Sequence, residues 1–182
     1  MKLYLVLTIV FGLAHVEHVV GVRKCSLEVI AKINQLWADE GIPTDLIKQA
    51  VAAGKQNIIL TSAGYYPEGT TCAYTLFAKD GKTVKLTTVK GKEASERTEK
   101  NYESGGIVME EGTGIKRYHV FSQDGVAAWY KCGNGDDATV GKPEGAIKVP
   151  NGPKYNKELV ADAKKKLESV GVVLTDNYNS YC

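Results

Sequence analysis

Short β-strand patterns follow one another closely between residues 57 and 149. Runs rich in β-branched and aromatic residues alternate with turn signals such as Asp80-Gly81 and Asp124-Gly125. Such pairs are strong hairpin signals, and in the two-residue turn both central positions take positive φ. Strands are predicted over 58–62, 71–78, 82–89, 98–102, 107–110, 115–122, 126–132 and 146–149. This series of short strands predicts a mostly β fold, an antiparallel barrel or sandwich.

Helical patterns flank the strand-rich region. Before it, apolar residues recur at helical spacing over residues 26–53, and Gly41-Ile42-Pro43 divides the pattern into two helices. Gly54 is predicted to end the second of them. After the strands, Asn156 is predicted to cap one amphipathic helix that ends at Gly171. We therefore expect helices to pack against the β structure.

The N-terminus has the layout of a secretory signal peptide, predicted over residues 1–21. Its apolar run is shorter than the roughly 20 residues that span a bilayer. Residues 22–182 then form one domain. An exported chain with an even number of cysteines is expected to contain disulfides, and the sequence alone allows three pairings. The cysteines are Cys25, Cys72, Cys132 and Cys182.

Charge and composition exclude several functional classes. The formal net charge of +2 is too weak to indicate a nucleic acid or a membrane surface as a partner. Beyond the predicted leader the chain has a single histidine, His119, and paired cysteines would leave no thiolate for catalysis. We therefore expect no enzymatic activity, no metal site and no cofactor.

Several short segments stand in a distinctive order and spacing along most of the domain. Residues 118–124 read Tyr-His-Val-Phe-Ser-Gln-Asp. The other segments are 54–62 with the following Cys72, 126–132 with its terminal cysteine, the C-terminal helix over 158–170, and Cys182. Together these segments resemble lipocalins of arthropods, in particular those of ticks and other blood feeders. Residues 118–124 are similar to that family's Tyr-x-Val-Leu-x-x-Asp strand.

The resemblance implies an eight-stranded antiparallel up-and-down barrel with an N-terminal helical segment and one C-terminal helix. By analogy, Cys25 would bond to Cys132, and Cys72 to Cys182. Lipocalins usually carry tryptophan at the position of Gln56. The aromatic side chain at the base of the barrel must therefore come from another position.

A closed eight-stranded barrel is just wide enough to hold one small ligand, and such pockets are mostly apolar. The candidate ligand-binding residues are therefore large side chains on the predicted strands, with the phase of each strand left open. They are Leu60, Tyr74, Leu76, Leu86, Met109, Tyr118, Phe121 and Trp129. An inward-facing His119 could bind haem iron or an anionic head group. Glu110, Glu111 and Asp124 are the acidic groups most expected to approach a cationic ligand.

The resemblance implies a secreted, salivary protein that sequesters a small, largely apolar ligand, a lipid mediator or a biogenic amine. A second hypothesis is a secreted inhibitor of a host protease or complement component that acts through its surface. Residues 49–53, Gln-Ala-Val-Ala-Ala, have some similarity to the Gln-x-Val-x-Gly wedge of cystatins. A bound small molecule in a one-to-one ratio would distinguish the first hypothesis from the second.

Overall fold

The computed structural model describes residues 22–135 and 142–182, so the predicted signal peptide lies outside the described residues. The helices are α1 (Leu27–Glu40), α2 (Leu46–Ala53) and α3 (Lys157–Ser169). The strands are β1 (Lys55–Thr61), β2 (Cys72–Phe77), β3 (Thr83–Lys90), β4 (Glu93–Ser104), β5 (Ile107–Glu110), β6 (Lys116–Gln123), β7 (Val126–Cys132), β8 (Glu144–Pro150) and β9 (Asp176–Asn177). No helix within these two ranges is long and apolar enough to cross a membrane.

Strands β1 to β8 form a closed antiparallel barrel. Each strand pairs with the next one along the chain, and β1 closes the barrel by pairing with both β2 and β8. The short β9 pairs with Leu60 and Thr61, beyond the part of β1 that β2 covers. The predicted eight-stranded barrel, with helices before it and one helix after it, is confirmed.

The two-residue turn predicted at Asp124-Gly125 is present in the structure, and the one predicted at Asp80-Gly81 is not. Between β6 and β7, Asp124 and Gly125 both have positive φ, at 49° and 77°, as a tight two-residue turn requires. Between β2 and β3 only Gly81 has positive φ, so the prediction for Asp80 is wrong. This connection is longer, and the Asp80 carboxylate accepts hydrogen bonds from the backbone N–H groups of the two residues after Gly81.

Two apolar clusters lie on opposite sides of the barrel wall. The larger one joins Ile147 of β8 to Ile33 of α1 and Leu167 of α3, so it lies between the wall and the helices. The smaller one contains Ile58 and Trp129 with no helical residue of the described chain, and it lies inside the barrel. Successive residues of a pleated strand point to opposite faces. Both faces of β7 and β8 are therefore buried.

Two disulfides tie both ends of the described chain to the barrel. Cys25 bonds to Cys132 at the end of β7, and Cys182 bonds to Cys72 at the start of β2. This is the pairing that the resemblance implies. The bonded residues are 107 and 110 positions apart, and loops of that size correspond to at most roughly 4.7 kcal/mol each in the chain-entropy treatment.

The two ends of the barrel are covered by different elements. Helix α2 leads through Gly54 directly into β1 and contacts β2 and β4. The Glu103 carboxylate of β4 accepts a hydrogen bond of 3.0 Å from the Ile47 amide of α2. Residues 62–71 connect β1 to β2 at the opposite end. We call these the α2 end and the loop end.

Candidate functional site

Strand register identifies the side chains that face the barrel interior, because directly opposite residues on paired strands share a face. Trp129 lies opposite His119 on β6 and Ala146 on β8, and the same face continues around the wall. This face carries many charged groups. They are Arg97, Glu99, Glu103, Glu110, Arg117, Lys131, Glu144 and Lys148.

Two arginines neutralise two carboxylates inside the barrel. Arg117 Nη2 lies 2.8 Å from Glu99 Oε2 and 3.3 Å from Glu110 Oε2. Arg97 also pairs with Glu110, and its Nη2 lies 3.4 Å from Glu99 Oε1. Burial acts to lower the pKa of Arg117, but the adjacent Glu99 and Glu110 carboxylates contribute to a net pKa above its ordinary value. The guanidinium therefore stays charged between the two carboxylates.

A third carboxylate is paired close to the loop end. Glu144 is 1% exposed, and its two oxygens lie 3.1 Å from Arg23 Nε and 3.1 Å from Lys131 Nζ. Arg23 also donates a hydrogen bond of 2.9 Å to the Ala63 carbonyl, which ties the segment before α1 to the loop end. Lys131 Nζ lies 4.2 Å from the ring centroid of Tyr65. The charged groups near the loop end thus neutralise one another.

Aromatic side chains close the loop end. Tyr65 and Tyr66 are buried and meet edge to face, with 5.0 Å between their ring centroids. Trp129 Nε1 donates a hydrogen bond of 3.1 Å to the Tyr65 hydroxyl, and Tyr66 packs against Tyr178 of the C-terminal tail. Burial raises the pKa of Tyr66 well above its ordinary value. The loop 62–71 therefore separates the interior from solvent.

The α2 end contains a small polar cavity of about 10 Å³, close to the volume that admits one water. It is lined by Leu46, Gln49, Ala50, Gln56, His119, Ser122, Gly125, Ala127 and Lys148. Gln56 is 2% exposed, and its Nε2 donates a hydrogen bond of 2.7 Å to the Gly125 carbonyl. Its Oε1 atom, like Oγ1 of the opposite Thr75, is buried and has no hydrogen-bond partner among the residues that the structure describes. Both atoms remain available to a ligand.

His119 is neutral in this environment. Burial, and then the charge of Lys148, lower its pKa to about 3. Its Nδ1 atom lies 3.2 Å from the Arg117 carbonyl. Since a carbonyl only accepts, the neutral ring carries its proton on Nδ1 and leaves Nε2 as an acceptor.

The structure brings two of the predicted ligand-binding residues into the interior. Leu86 and Trp129 pack in the inner cluster. The other six lie on the outside of the wall, because successive side chains along a strand alternate between its faces and the residues next to these six point inward. Leu60, Tyr118 and Phe121 pack in the outer cluster with α1 and α3, and Tyr74, Leu76 and Met109 occupy the outward positions of β2 and β5.

The acidic candidates are not free to meet a cation inside the barrel. Glu110 faces inward but is paired with two arginines. Glu111 is exposed, and Asp124 lies in the β6–β7 turn. Gln49, the first residue of the cystatin-like segment, lies within helix α2, and its Oε1 accepts a hydrogen bond of 2.8 Å from Ser122. The segment is therefore helical and packed, unlike an extended wedge.

A second, larger cavity of about 230 Å³ lies outside the barrel, between the α1–α2 connection, β6 and α3. Trp37 borders it and donates a hydrogen bond of 2.9 Å from its Nε1 to the His119 carbonyl. Glu40 of α1 and Lys166 of α3 form an ion pair beside it. The remaining lining residues are Leu36, Gly41, Ile42, Pro43, Val120, Phe121, Ser122 and Gln123.

Comparison with known proteins supports the architecture. No family model matches the sequence, and no curated protein matches it. Solved structures do match. Apocrustacyanin C2 aligns with a TM-score of 0.55 at 14% identity, over 87% of this chain and 90% of its own. Lobster apocrustacyanin A1 aligns with a TM-score of 0.55 at 16% identity, over 88% of this chain and 92% of its own. The siderocalin Ex-FABP aligns with a TM-score of 0.56 at 9% identity, over 74% of this chain and 92% of its own.

The chain has the lipocalin fold. Two of these similar structures are crustacyanins, one of them from lobster, so the likeness extends to an arthropod version of that fold. At identities of 9% to 16% the likeness concerns the fold alone.

Proposed function

We propose that this protein is a carrier that binds and sequesters one small molecule inside its barrel. The observation that carries the proposal is the set of unsatisfied groups at the α2 end. Lys148 has no carboxylate partner among the described residues, and Gln56 Oε1 and Thr75 Oγ1 have no hydrogen-bond partner. Buried polar groups are normally paired, and each unpaired one costs about 1–3 kcal/mol. A ligand that pairs with them recovers this free energy.

The interior chemistry favours an amphipathic ligand. Trp129, Leu86 and Ile58 form an apolar section of the inner wall, between the polar groups of the α2 end and the ion pairs towards the loop end. A biogenic amine is the less suitable ligand, because Glu99 and Glu110 are already neutralised by arginines. A lipid mediator with a polar head group fits this distribution better.

Access to the interior requires movement of the loop end. The cavity of about 10 Å³ is far smaller than any lipid, so binding must displace Tyr65 and Tyr66 together with the loop 62–71. Displacing residues 63–66 would break three hydrogen bonds to the rest of the protein: from Arg23 to the Ala63 carbonyl, from the Gly64 amide to the Asp176 carboxylate, and from Trp129 to the Tyr65 hydroxyl. We therefore propose that the closed barrel is the ligand-free state, and that the ligand stabilises an open one.

We further propose that the protein is secreted after removal of residues 1–21, as a salivary factor that acts against a host. Two disulfides are typical of proteins made for an oxidising compartment, which supports secretion. The salivary role rests on the resemblance to lipocalins of blood-feeding arthropods. The siderocalin of similar fold is described as functioning through dual ligand specificities, which is consistent with small-molecule binding by this fold.

Native mass spectrometry of oxidised residues 22–182 tests the carrier proposal. The panel contains histamine, serotonin, a leukotriene, fatty acids and haem. We expect a one-to-one adduct with a fatty acid or the leukotriene, which Trp129→Leu weakens and Trp37→Leu leaves intact, because Trp37 lies outside the barrel. Absence of any adduct, with both disulfides confirmed by intact mass, contradicts the proposal.

A second candidate function is inhibition of a host protease or complement component through the outer surface. The filled interior favours it, since ion pairs and aromatic side chains leave so little space. The helical, hydrogen-bonded Gln49 argues against a cystatin-like wedge. This candidate is favoured if no adduct forms and the protein inhibits a papain-type protease or a complement assay. Gln49→Ala is then expected to leave that inhibition unchanged.

A further inference from the structure

Lys148 is an interior lysine at the α2 end of the barrel. It lies opposite Ala127 on β7 and Ile58 on β1, and both neighbours belong to the inward face. The residue is 7% exposed and borders the cavity. Its Nζ atom lies 5.4 Å and 5.8 Å from the ring centroids of Phe77 and Trp129, at the outer range of a cation–π contact. The side chain is thus held within the barrel.

The carboxylates of the inward face have partners other than Lys148. Glu103 accepts a hydrogen bond from the Ile47 amide of α2. Glu99 and Glu110 pair with Arg117 and Arg97. Glu144 pairs with Arg23 and Lys131 towards the loop end. Over the described ranges, 22–135 and 142–182, Lys148 therefore has no anionic partner. A buried cation in this situation is costly unless an anion joins it.

The groups around Lys148 cannot supply that anion, but they can assist one. His119 is neutral because burial lowers its pKa to about 3, and Arg117 adds further positive charge nearby. The Ser122 hydroxyl and the Gln56 side chain line the same cavity. The Ser122 hydroxyl already donates its proton to Gln49, and Gln56 Nε2 uses one of its two protons on the Gly125 carbonyl. A carboxylate placed there would therefore meet a cation and the second N–H of Gln56, with Leu86 and Trp129 beside its apolar tail.

We propose that the ligand is an amphipathic monocarboxylate whose head group pairs with Lys148 at the α2 end, while its tail extends towards the loop end. This inference rests on the proposed carrier function and names its ligand class. The head group therefore enters first, past the displaced Tyr65, and reaches the base of the barrel. Neutral or cationic compounds with the same tail lack the ion pair and bind more weakly.

Calorimetric titrations with decanoate, decan-1-ol and decylamine test this inference at pH 6.5. The wild-type protein is expected to bind decanoate at least tenfold more tightly than the alcohol or the amine. Lys148→Met is expected to weaken decanoate binding at least tenfold and to leave the alcohol unchanged. Lys48→Met, which removes an exposed lysine from α2 at the same end of the barrel, serves as the charge-matched control and should bind as the wild type does.

The outcomes separate the ligand class from the carrier function. Equal wild-type affinities for decanoate and decan-1-ol overturn the carboxylate inference while barrel binding stands. If Lys148→Met leaves decanoate binding unchanged, the carboxylate inference is also overturned and barrel binding stands, because the head group then lies elsewhere. Failure of all three compounds and of the wider panel overturns the carrier function as well. The wild-type comparison does not depend on any variant's folding.

Discussion

Trp129 of β7 and Tyr65 of the loop 62–71 share a buried hydrogen bond of 3.1 Å from the indole nitrogen to the phenol hydroxyl. The bond joins the inner wall of the barrel to the segment that closes it. Indole N–H groups only donate, so Tyr65 is the group that satisfies Trp129 in the closed state. The strength of this contact therefore influences how readily the barrel opens.

Tyr65→Phe is expected to destabilise the closed loop while retaining the ring. It leaves the buried Trp129 N–H without an acceptor, at a cost of about 1–3 kcal/mol in the free energy of unfolding. Urea unfolding measures this loss, and Tyr181→Phe is the control because Tyr181 is 60% exposed. Equal stability of the two variants would show that the hydrogen bond does not hold the loop.

Removal of Arg117 should be among the most damaging single changes. Arg117→Met leaves Glu99 and Glu110 buried with only Arg97 to pair with them, and removal of one partner of a buried pair typically costs about 3–5 kcal/mol. The control is Lys85→Met, since Lys85 and Glu96 form an ion pair with both side chains 47% exposed. That control should lose much less stability, because solvent screens the attraction between exposed charges. Similar losses in both variants would contradict a structural role for the buried network.

His119 is expected to make the protein sensitive to acid. Its pKa is about 3 in the folded state and ordinary, near 6.5, in the unfolded chain. Between these values the unfolded state binds the extra proton, so stability falls as the pH falls, by at most about 1.4 kcal/mol per pH unit. Urea unfolding from pH 7 to pH 4 should show a shallower decline for His119→Gln. Identical slopes in both proteins argue against a buried neutral imidazole.

We expect Lys148 to have a separate effect on stability at alkaline pH. Burial, and then the charge of Arg117, lower its pKa to about 7, compared with 10.5 in the unfolded chain. The unfolded state binds the extra proton between these values, so stability should rise as the pH rises from 7 towards 10. Lys148→Met removes this rise and is more stable than the wild type at pH 6. A rise that persists in the variant must come from another group.

Strand and helix positions were largely predictable, because they depend on local patterns. Ile107–Glu110 and Val126–Cys132 agree with the predicted strands, and the Asn156 side chain caps α3 with hydrogen bonds to two backbone amides. The twelve-residue β4 is longer than the prediction of 98–102. Its first half is exposed and charged, so it lacks the apolar alternation that marks a half-buried strand.

The orientation of the strands was not predictable in the same way. Apolar residues such as Tyr118 and Phe121 are natural candidates for a barrel lining, but α1 and α3 cover the outside of β6 and bury them there. The inward positions of β6 instead carry Arg117 and His119. When both faces of a strand are buried, hydrophobicity does not tell which face is inside. The alternation of charged with apolar residues was the sequence signal available for assigning the inward face.

Tryptophan fluorescence tests most directly whether the ligand lies inside the barrel. The chain has two tryptophans, Trp129 facing the interior and Trp37 bordering the outer cavity. Decanoate brominated on its tail quenches only a tryptophan that it contacts. We predict saturable quenching at one equivalent in Trp37→Phe, which retains Trp129, and none in Trp129→Phe, which retains Trp37. Quenching of Trp37 alone, or of neither tryptophan, would contradict binding inside the barrel.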